Sequence, residues 1–254
     1  MTAVPAVVLA APGTNRDVDV AAALELAGAA VTIVPLAEVD DTILRKARVA
    51  VVAGGFSFAD ALGSGRLFAL ELAERLGESI GQFVADGRPV LGICNGFQTL
   101  VRAGILPGPS SQAALGHNAQ GRFECRWVTL EAEPTSTCIW TAGVTDWLLC
   151  PIAHGEGRFH AEAETLAKLA ANGQIALRYR RPDGSDAAGA FPFNPNGSDD
   201  DIAGICDPTG VVLGLMPHPE DHVLNRQHPR WTRGETSGSC RTLFANGVRH
   251  AKEL

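Results

Sequence analysis

A cysteine framed by glycines, at the end of an apolar run, is the feature that most constrains this chain. Residues 92–98 read Gly-Ile-Cys-Asn-Gly-Phe-Gln and follow Pro89-Val90-Leu91 directly. A sharp strand-to-helix turn here would lift the Sγ atom of Cys94 above the edge of a sheet, and the amide dipoles of the helix would favour its thiolate. An isolated cysteine is more often an unreactive residue packed in the core. The prediction of a nucleophile at Cys94 therefore rests on the glycines two residues before and after it.

The first hundred residues alternate between apolar strands and helices. We predict strands at 4–9, 31–36, 49–53 and 90–93, and helices at 17–29, 42–46, 65–85 and after Cys94. Strands that are apolar throughout and separated by helices are typical of an open parallel sheet covered on both faces. The expected fold class is therefore α/β, with a ligand site at the carboxyl ends of the strands.

The remainder of the chain has shorter segments with more alternation. We predict added antiparallel strands at 123–130, 138–142 and 147–153, further strands at 175–180, 202–206 and 211–215, helices at 162–171 and 241–252, and irregular loops at 107–121 and 225–239. Neither an internal repeat nor a linker interrupts this pattern. We therefore expect residues 1–254 to form a single domain.

Composition argues against several classes of protein. The 254 residues are 46% apolar, which is enough for one large core, and the net charge of −7 leaves no concentrated cationic face for nucleic acid. No apolar run approaches the roughly 20 residues that span a bilayer, so we expect no membrane partner. Six cysteines without a C-x-x-C pair, and the lack of a visible leader, predict reduced thiols and a cytoplasmic location.

A second polar segment offers a base for the thiol. Pro217-His218-Pro219-Glu220 follows the apolar residues 211–215. On an extended segment, positions two apart share a face, so the Glu220 carboxylate would lie beside one ring nitrogen of His218. The alternative is a surface turn with a solvated glutamate, which is less favoured once Cys94 is considered. The three residues together predict thiol-based acyl transfer, with His218 as the base and Glu220 orienting it.

Two glycine-rich segments follow other predicted strands. Acyl transfer forms an oxyanion that needs N–H donors, and we assign these to the peptide near Gly55 or Phe56 and to Asn95, although an ordinary glycine turn is the alternative at residues 54–58. His154-Gly155-Glu156 is interpreted as a substrate-lining loop. Zinc-type ligand spacing is absent, so we predict no metal site, and the lack of glycine-rich phosphate loops predicts no nucleotide cofactor in this chain.

These segments together resemble the class I (triad) glutamine amidotransferases, and within that class the glutaminase subunits of phosphoribosylformylglycinamidine synthase. The segments that carry the resemblance span almost the whole chain: residues 12–15, 54–57, 92–98, 118, 122–124, 151–159, 194–198, 202–205 and 214–220. The resemblance implies a flavodoxin-like fold and the following chemistry. Cys94 attacks the side-chain amide of glutamine, His218 carries the proton, Glu220 orients the imidazole, and Gln98 and the backbone around His154-Gly155-Glu156 hold the substrate.

The resemblance also implies partners. Ammonia passes to a synthetase subunit that uses ATP with Mg and formylglycinamide ribonucleotide, and a small third subunit joins the complex. This chain itself would need no cofactor. The alternatives are a glutaminase serving another acceptor, a cysteine peptidase or thiol hydrolase, and a non-catalytic scaffold.

The chain departs from the family pattern at three places. Phe58 and Ala59 stand where the commoner loop has Tyr and Gly before Asp60, which affects the expected geometry of the oxyanion loop. Asp221-His222 follows Glu220 where an Arg is usual. Residues 226–238 are longer than expected and carry Trp231, and we expect this stretch to pack at the partner interface because aromatic and Arg anchors favour interfaces.

Overall fold

A nine-stranded mixed sheet organises the computed structural model, which describes residues 3–254. The strands along the chain are β1 (Val4–Ala10), β2 (Ala29–Pro35), β3 (Val49–Val52), β4 (Val90–Ile93), β5 (Ala114–Gly116), β6 (Glu124–Ala132), β7 (Leu148–His154), β8 (Arg158–His160), β9 (Ile175–Arg180), β10 (Ile202–Cys206) and β11 (Val212–Leu215). The large sheet has the order β2-β1-β3-β4-β11-β10-β9-β6-β7, and β5 pairs with β8 in a small second sheet.

The large sheet has a parallel half and an antiparallel half. Strands β2, β1, β3, β4 and β11 run parallel, with Val51 opposite Leu91 and Leu213 also opposite Leu91 on its other side. From β11 onward each neighbour is antiparallel, through β10, β9, β6 and β7. The predicted fold class is confirmed: an α/β sheet whose first five strands in spatial order are parallel carries added antiparallel strands.

Six α-helices connect or follow these strands within residues 3–254. They are α1 (Asp17–Leu26), α2 (Asp41–Lys46), α3 (Arg66–Ala85), α4 (Asn95–Arg102), α5 (Ala163–Ala171) and α6 (Arg241–Glu253). Helices α1 and α6 contact each other and β1, whereas α3 and α4 contact each other and α4 packs on β3, β4 and β11. The strands of the parallel half can therefore be apolar on both sides, as β3 and β4 are.

Residues 138–142 do not form the predicted strand. The structure has a 3-10 turn at Ile139–Thr141, in which the Trp140 side chain is fully buried and its Nε1–H donates to the carbonyl of Val211 at 3.0 Å. The ring also occupies space beside Gly247 of α6 that any side chain at that position would fill. Burial of one large ring against a helix, rather than pairing in a sheet, produced the apolar pattern of this segment.

The two predicted loops differ in content. Residues 107–121 are not wholly irregular, because they contain β5, whose Leu115 pairs with Phe159 of β8. Residues 225–239 lack strands and α-helices, and hold 3-10 turns at Asn225–Gln227 and Trp231–Arg233. In the described part of the chain, no helix has the combination of length and apolar character that crossing a membrane requires.

Candidate active site

The turn between β4 and α4 places Cys94 in a strained conformation. Cys94 has φ +50° and ψ −107°, a region that a non-glycine residue adopts at a cost of about 1–3 kcal/mol and that is concentrated at functional sites. Its flanking glycines permit the turn, because a Cβ atom on Gly96 would overlap the carbonyl oxygen of Val52, and one on Gly92 would lie 2.9 Å from the carbonyl oxygen of Gly96. The sequence Gly-x-Cys-x-Gly is thus what lets α4 start directly against β3.

Three strand ends surround the thiol. The Cys94 N–H donates to the carbonyl of Leu215 at 2.8 Å, and its Sγ lies 4.0 Å from the carbonyl oxygen of Ala153. A Cβ atom on Gly54, just after β3, would lie 3.0 Å from Cε1 of His218 and 3.4 Å from Cβ of Cys94. Gly54 therefore leaves the space in which the imidazole of His218 approaches the thiol.

His218 and Glu220 form a buried pair beside Cys94. Nδ1 of His218 lies 2.7 Å from Oε1 of Glu220, and the N–H of His218 donates to the carbonyl of Pro151 at 2.8 Å. Burial alone would lower the pKa of His218, but the negative charges of Glu220 and Cys94 outweigh it and raise that pKa well above the ordinary value. The arrangement holds the imidazole with Nδ1–H toward the carboxylate, so that Nε2 is free to exchange a proton with the thiol.

The backbone N–H groups of Gly55 and Asn95, both near Cys94, lack an acceptor among residues 3–254. Gly55 has φ +138°, and a Cβ atom there would lie 2.6 Å from the amide nitrogen of Asn15, so this position requires glycine. The N–H of Phe56, the other residue expected to contribute to the oxyanion site, donates to the carbonyl of Gly13 at 3.0 Å. The two free donors come from the ends of β3 and β4, the edge at which Cys94 lies.

The side chain of Asn95 ties the loop after β3 to helix α4. Its Oδ1 accepts a hydrogen bond from the hydroxyl of Ser57, and its Nδ2 donates to Oδ1 of Asp60 at 2.9 Å. Burial, together with the nearby Glu156 carboxylate, raises the pKa of Asp60. This network ties Ser57 and Asp60, which flank Phe58 and Ala59, to the first turn of α4.

Gln98 lies one turn along α4 and reaches the segment after β7. It is buried, and its side-chain Nε2 donates to the carbonyl of Glu156. Gly155 and Glu156 line a cavity of about 610 Å³, whose wall also includes Phe56, Asp60 and Phe123. Of the four predicted substrate residues, Gly155 and Glu156 therefore line the cavity, and Gln98 contacts Glu156 from behind it.

His154, at the end of β7, is buried rather than open to this cavity. Its Nδ1 lies 3.1 Å from Oδ1 of Asn118. Burial, with a smaller contribution from the charge of His218, lowers its pKa to about 3. His154 is therefore neutral at pH 7. The sequence does not predict Asn118 as the partner of His154; its only signal is that residue 118 lies among the segments that carry the family resemblance.

The acidic and imidazole groups beside Cys94 are paired with other residues, although Oε2 of Glu220 has no hydrogen-bond partner within residues 3–254. Ligand atoms of His218, Glu220 and Asp221 lie within 4.8 Å of one another. However, His218 is paired with Glu220, and Asp221 is 3.3 Å from the guanidinium of Arg16. The cluster fits a proton-transfer pair with a flanking ion pair better than a set of metal ligands.

Comparison with known proteins agrees with this fold. A family model described as the CobB/CobQ-like glutamine amidotransferase domain matches residues 3–251. A protein named phosphoribosylformylglycinamidine synthase subunit PurQ from Treponema denticola is 47% identical, covering 96% of this chain and 98% of its own length. The protein of the same name from Dehalococcoides mccartyi is 41% identical, and 100% of both chains is covered.

Among solved structures, a chain of the PurLQS structure from Thermotoga maritima superposes with a TM-score of 0.75 and 29% identity, covering 97% of this chain and 98% of that one. The fold is that of a class I glutamine amidotransferase, and the chain is an enzyme of this class. It belongs to the CobB/CobQ-like glutamine amidotransferase family, within which the two full-length relatives above are PurQ subunits.

Proposed function

We infer that this chain is the glutaminase subunit of phosphoribosylformylglycinamidine synthase, which acts in purine biosynthesis. Full-length similarity to PurQ proteins, at 47% identity in one case, is the observation that carries this conclusion. The nine-stranded sheet draws strands from both halves of the chain, which supports our proposal that residues 1–254 act as one domain.

In the first chemical step, the Cys94 thiolate attacks the side-chain carbonyl carbon of glutamine. The carbon–nitrogen bond then breaks, His218 Nε2–H gives its proton to the departing nitrogen, and the products are a glutamyl thioester and ammonia. The contact of 2.7 Å between His218 and Glu220 supports these roles, because the carboxylate keeps the ring oriented in both protonation states. Cys94, His218 and Glu220 are the catalytic residues of this proposal.

The second step regenerates the thiol. His218, now neutral at Nε2, takes a proton from water as the water oxygen attacks the thioester carbon. The carbon–sulfur bond breaks, glutamate leaves, and the proton returns to the thiolate–imidazole pair. Each step passes through a tetrahedral oxyanion, and we assign its stabilisation to the N–H groups of Gly55 and Asn95, which have no other acceptor in residues 3–254. The N–H of Phe56 would help to stabilise the oxyanion only if its hydrogen bond to the carbonyl of Gly13 broke.

We place bound glutamine in the cavity of about 610 Å³ beside the catalytic turn. Gly155 and Glu156 would face the substrate, and Gln98 would support them through its bond to the Glu156 carbonyl. The α-carboxylate or α-amino group of glutamine can form hydrogen bonds with backbone groups of Gly155 and Glu156.

From the family resemblance we also propose which subunits and substrates the complete complex contains. A synthetase subunit consumes the ammonia, ATP with Mg²⁺ and formylglycinamide ribonucleotide, and a small third subunit completes the assembly. This chain contributes no cofactor of its own, and the complex works in the cytoplasm. Similarity to a chain of the PurLQS structure from Thermotoga maritima supports an assembly with further subunits.

Replacement of the nucleophile tests the proposal. In the complex reconstituted with the synthetase subunit, Cys94→Ala should abolish synthesis with glutamine but leave synthesis with ammonium chloride at the wild-type rate. Cys125→Ala, at an exposed cysteine, is the matched control and should change neither activity. Intact mass after treatment with an electrophilic glutamine analogue should show one adduct that Cys94→Ala lacks. Retained glutamine-dependent synthesis in Cys94→Ala would overturn the assignment.

A further inference from the structure

The carboxylate of Glu220 is held by a hydrogen bond at only one of its two oxygens. Oε1 lies 2.7 Å from Nδ1 of His218. Oε2 is buried and has no hydrogen-bond partner in residues 3–254. Because no donor among these residues reaches Oε2, the angle at which the carboxylate meets the imidazole depends on how firmly the backbone of Glu220 is held.

The side chain of Gln227 binds the backbone of the 3-10 turn Pro219–His222, which carries Glu220. Its Nε2 donates to the carbonyl of Glu220 at 3.2 Å. Its Oε1 accepts from the N–H groups of Val223 and Leu224, directly after the turn, at 2.8 and 2.7 Å. A flipped amide would lose all three bonds, so the partners fix the orientation of this side chain.

The residue after Gln227 anchors this part of the chain. His228 is only 3% exposed, and its ring packs against those of Trp127 in β6 and His222, with centroids 6.2 and 5.4 Å apart. His222 ends the catalytic turn, and its Nδ1–H donates to the carbonyl of Leu149 at 2.6 Å. Gln227 is therefore held beside the turn by a buried cluster of rings, and its side chain has a firm base from which to bind Glu220.

We propose that Gln227 is a positioning residue for glutamine hydrolysis: its bond to the Glu220 carbonyl holds the carboxylate at the angle that orients the His218 imidazole. This inference rests on the proposed function and deepens it. Because the three bonds of the Gln227 amide all go to backbone groups in and directly after the turn, its effect on the reaction passes through Glu220. The long segment at 226–238 then has a role in catalysis that is separate from any contact with the synthetase.

The experiment measures glutamate release in the complex with the synthetase subunit. Gln227→Met has a similar length but removes all three hydrogen bonds. Gln227→Glu keeps an acceptor for the two N–H groups and removes only the donor to Glu220. Gln82→Met makes the same chemical change at an exposed position of α3, where the amide binds only Asp86 of the same helix, and is the matched control.

We expect Gln227→Met and Gln227→Glu to lower kcat about tenfold with KM nearly unchanged, since a misplaced catalytic group slows the chemical step more than it weakens substrate binding. In Gln227→Met, the alkaline limb of the pH profile of kcat should also move to lower pH. His218 loses its proton on this limb, and a loosely held Glu220 stabilises the imidazole cation less. The other titratable groups near this imidazole are the same in the variant and the wild type: Cys94, His154 and Asp221.

A second background separates positioning from a merely structural role. If Gln227 acts through the Glu220 carboxylate, Gln227→Met should change kcat by less than about twofold when Glu220→Gln is already present. General destabilisation would instead lower kcat by the same factor in both backgrounds. Synthesis from ammonium chloride should stay at the wild-type rate, which reports folding and assembly. If Gln227→Met fails this check, Gln227→Glu is the deciding variant, because it keeps the two bonds after the turn.

A wild-type kcat in Gln227→Glu would overturn the inference, because only the bond to the Glu220 carbonyl is lost there. An equal loss of kcat from Gln227→Met in the wild-type and Glu220→Gln backgrounds would overturn it as well. Failure of the proposed function looks different, because the complex with the wild-type chain would then release no glutamate.

Discussion

Nδ1 of His218 lies 2.7 Å from Oε1 of Glu220, and both side chains are almost completely withdrawn from solvent. The two residues are separated by Pro219 alone, which begins a 3-10 turn at Pro219–His222. The backbone of this short segment therefore fixes the carboxylate relative to the ring before substrate arrives. An imidazole held in this way needs little reorganisation to exchange a proton with Cys94.

Glu220→Gln should strongly reduce glutamine hydrolysis. An amide at this position removes the negative charge that favours the His218 cation and can present a donor to Nδ1, which favours the wrong tautomer. We expect kcat for glutamate release to fall by about 10²–10⁴-fold, with a smaller change in KM. Glu74→Gln, at an exposed position of α3, is the control. A pH profile of kcat should also shift in Glu220→Gln, and an unshifted profile with near wild-type kcat would contradict the role of Glu220.

The buried neutral state of His154 predicts sensitivity to acid. The folded-state pKa is lowered to about 3, whereas the ordinary value is 6.5, so the unfolded chain binds a proton first as the pH falls. The stability that this group contributes is present above pH 6.5 and is lost progressively below it, by about 2 kcal/mol at pH 5. Urea unfolding at pH 7 and pH 5 should therefore show a loss in wild type that is about 2 kcal/mol larger than in His154→Gln. Equal losses would contradict a buried neutral His154.

Much of the parallel half could be predicted because its signals are local. β3 and β4 are apolar at every position, and the glycines around Cys94 mark the strand-to-helix turn in the sequence itself. The pairing of His154 with Asn118 could not be predicted in this way, since it joins residues 36 positions apart and depends on how the segments around β7 pack. The strand predicted at 138–142 failed for a related reason: Trp140 is buried against α6, which lies far along the chain.

Ala59→Gly should stabilise the loop after β3. Phe58, Ala59 and Asp60 all have positive φ, of 53°, 53° and 51°, and each non-glycine residue in this region costs roughly 1–2 kcal/mol. Part of the gain is offset by the entropy that glycine adds to the unfolded chain, so the free energy of unfolding should rise by about 0.5–1 kcal/mol. Ala61→Gly is the matched control, because Ala61 is also exposed but has φ −54°. It should lower stability, and the opposite ranking of the two variants would contradict the strained loop.

Two glycines of α-helices should respond in opposite ways to alanine. Gly77 lies within α3, and a Cβ atom there would have no other atom within 4 Å, so Gly77→Ala should raise the free energy of unfolding by about 1 kcal/mol. Gly96 lies in the first turn of α4 against the carbonyl of Val52, so Gly96→Ala must move the helix and should cost about 2–3 kcal/mol. Because α4 carries Asn95 and Gln98, glutamine hydrolysis should fall as well. Urea unfolding and glutamate release measure the two effects, and a neutral Gly96→Ala would contradict the close packing.

Trp231 provides the last test, which concerns the long segment at 226–238. The segment is anchored at its end, where the N–H of Leu149 donates to the carbonyl of Gly238 and the N–H of Cys240 donates to that of His222, both at 2.8 Å. Trp231 is nevertheless 52% exposed. A large aromatic side chain held outward on an anchored segment is typical of an interface anchor.

Trp231→Ala should therefore leave thermal unfolding unchanged but weaken binding to the synthetase subunit by about tenfold or more, as titration calorimetry would measure. Trp147→Ala is the control, because Trp147 is 40% exposed but its ring packs beside Gly184 of its own chain. It should lower stability more than it lowers binding. If Trp231→Ala binds the synthetase with wild-type affinity, this side chain is not part of the interface, and deletion of 226–238 should then also leave the complex intact.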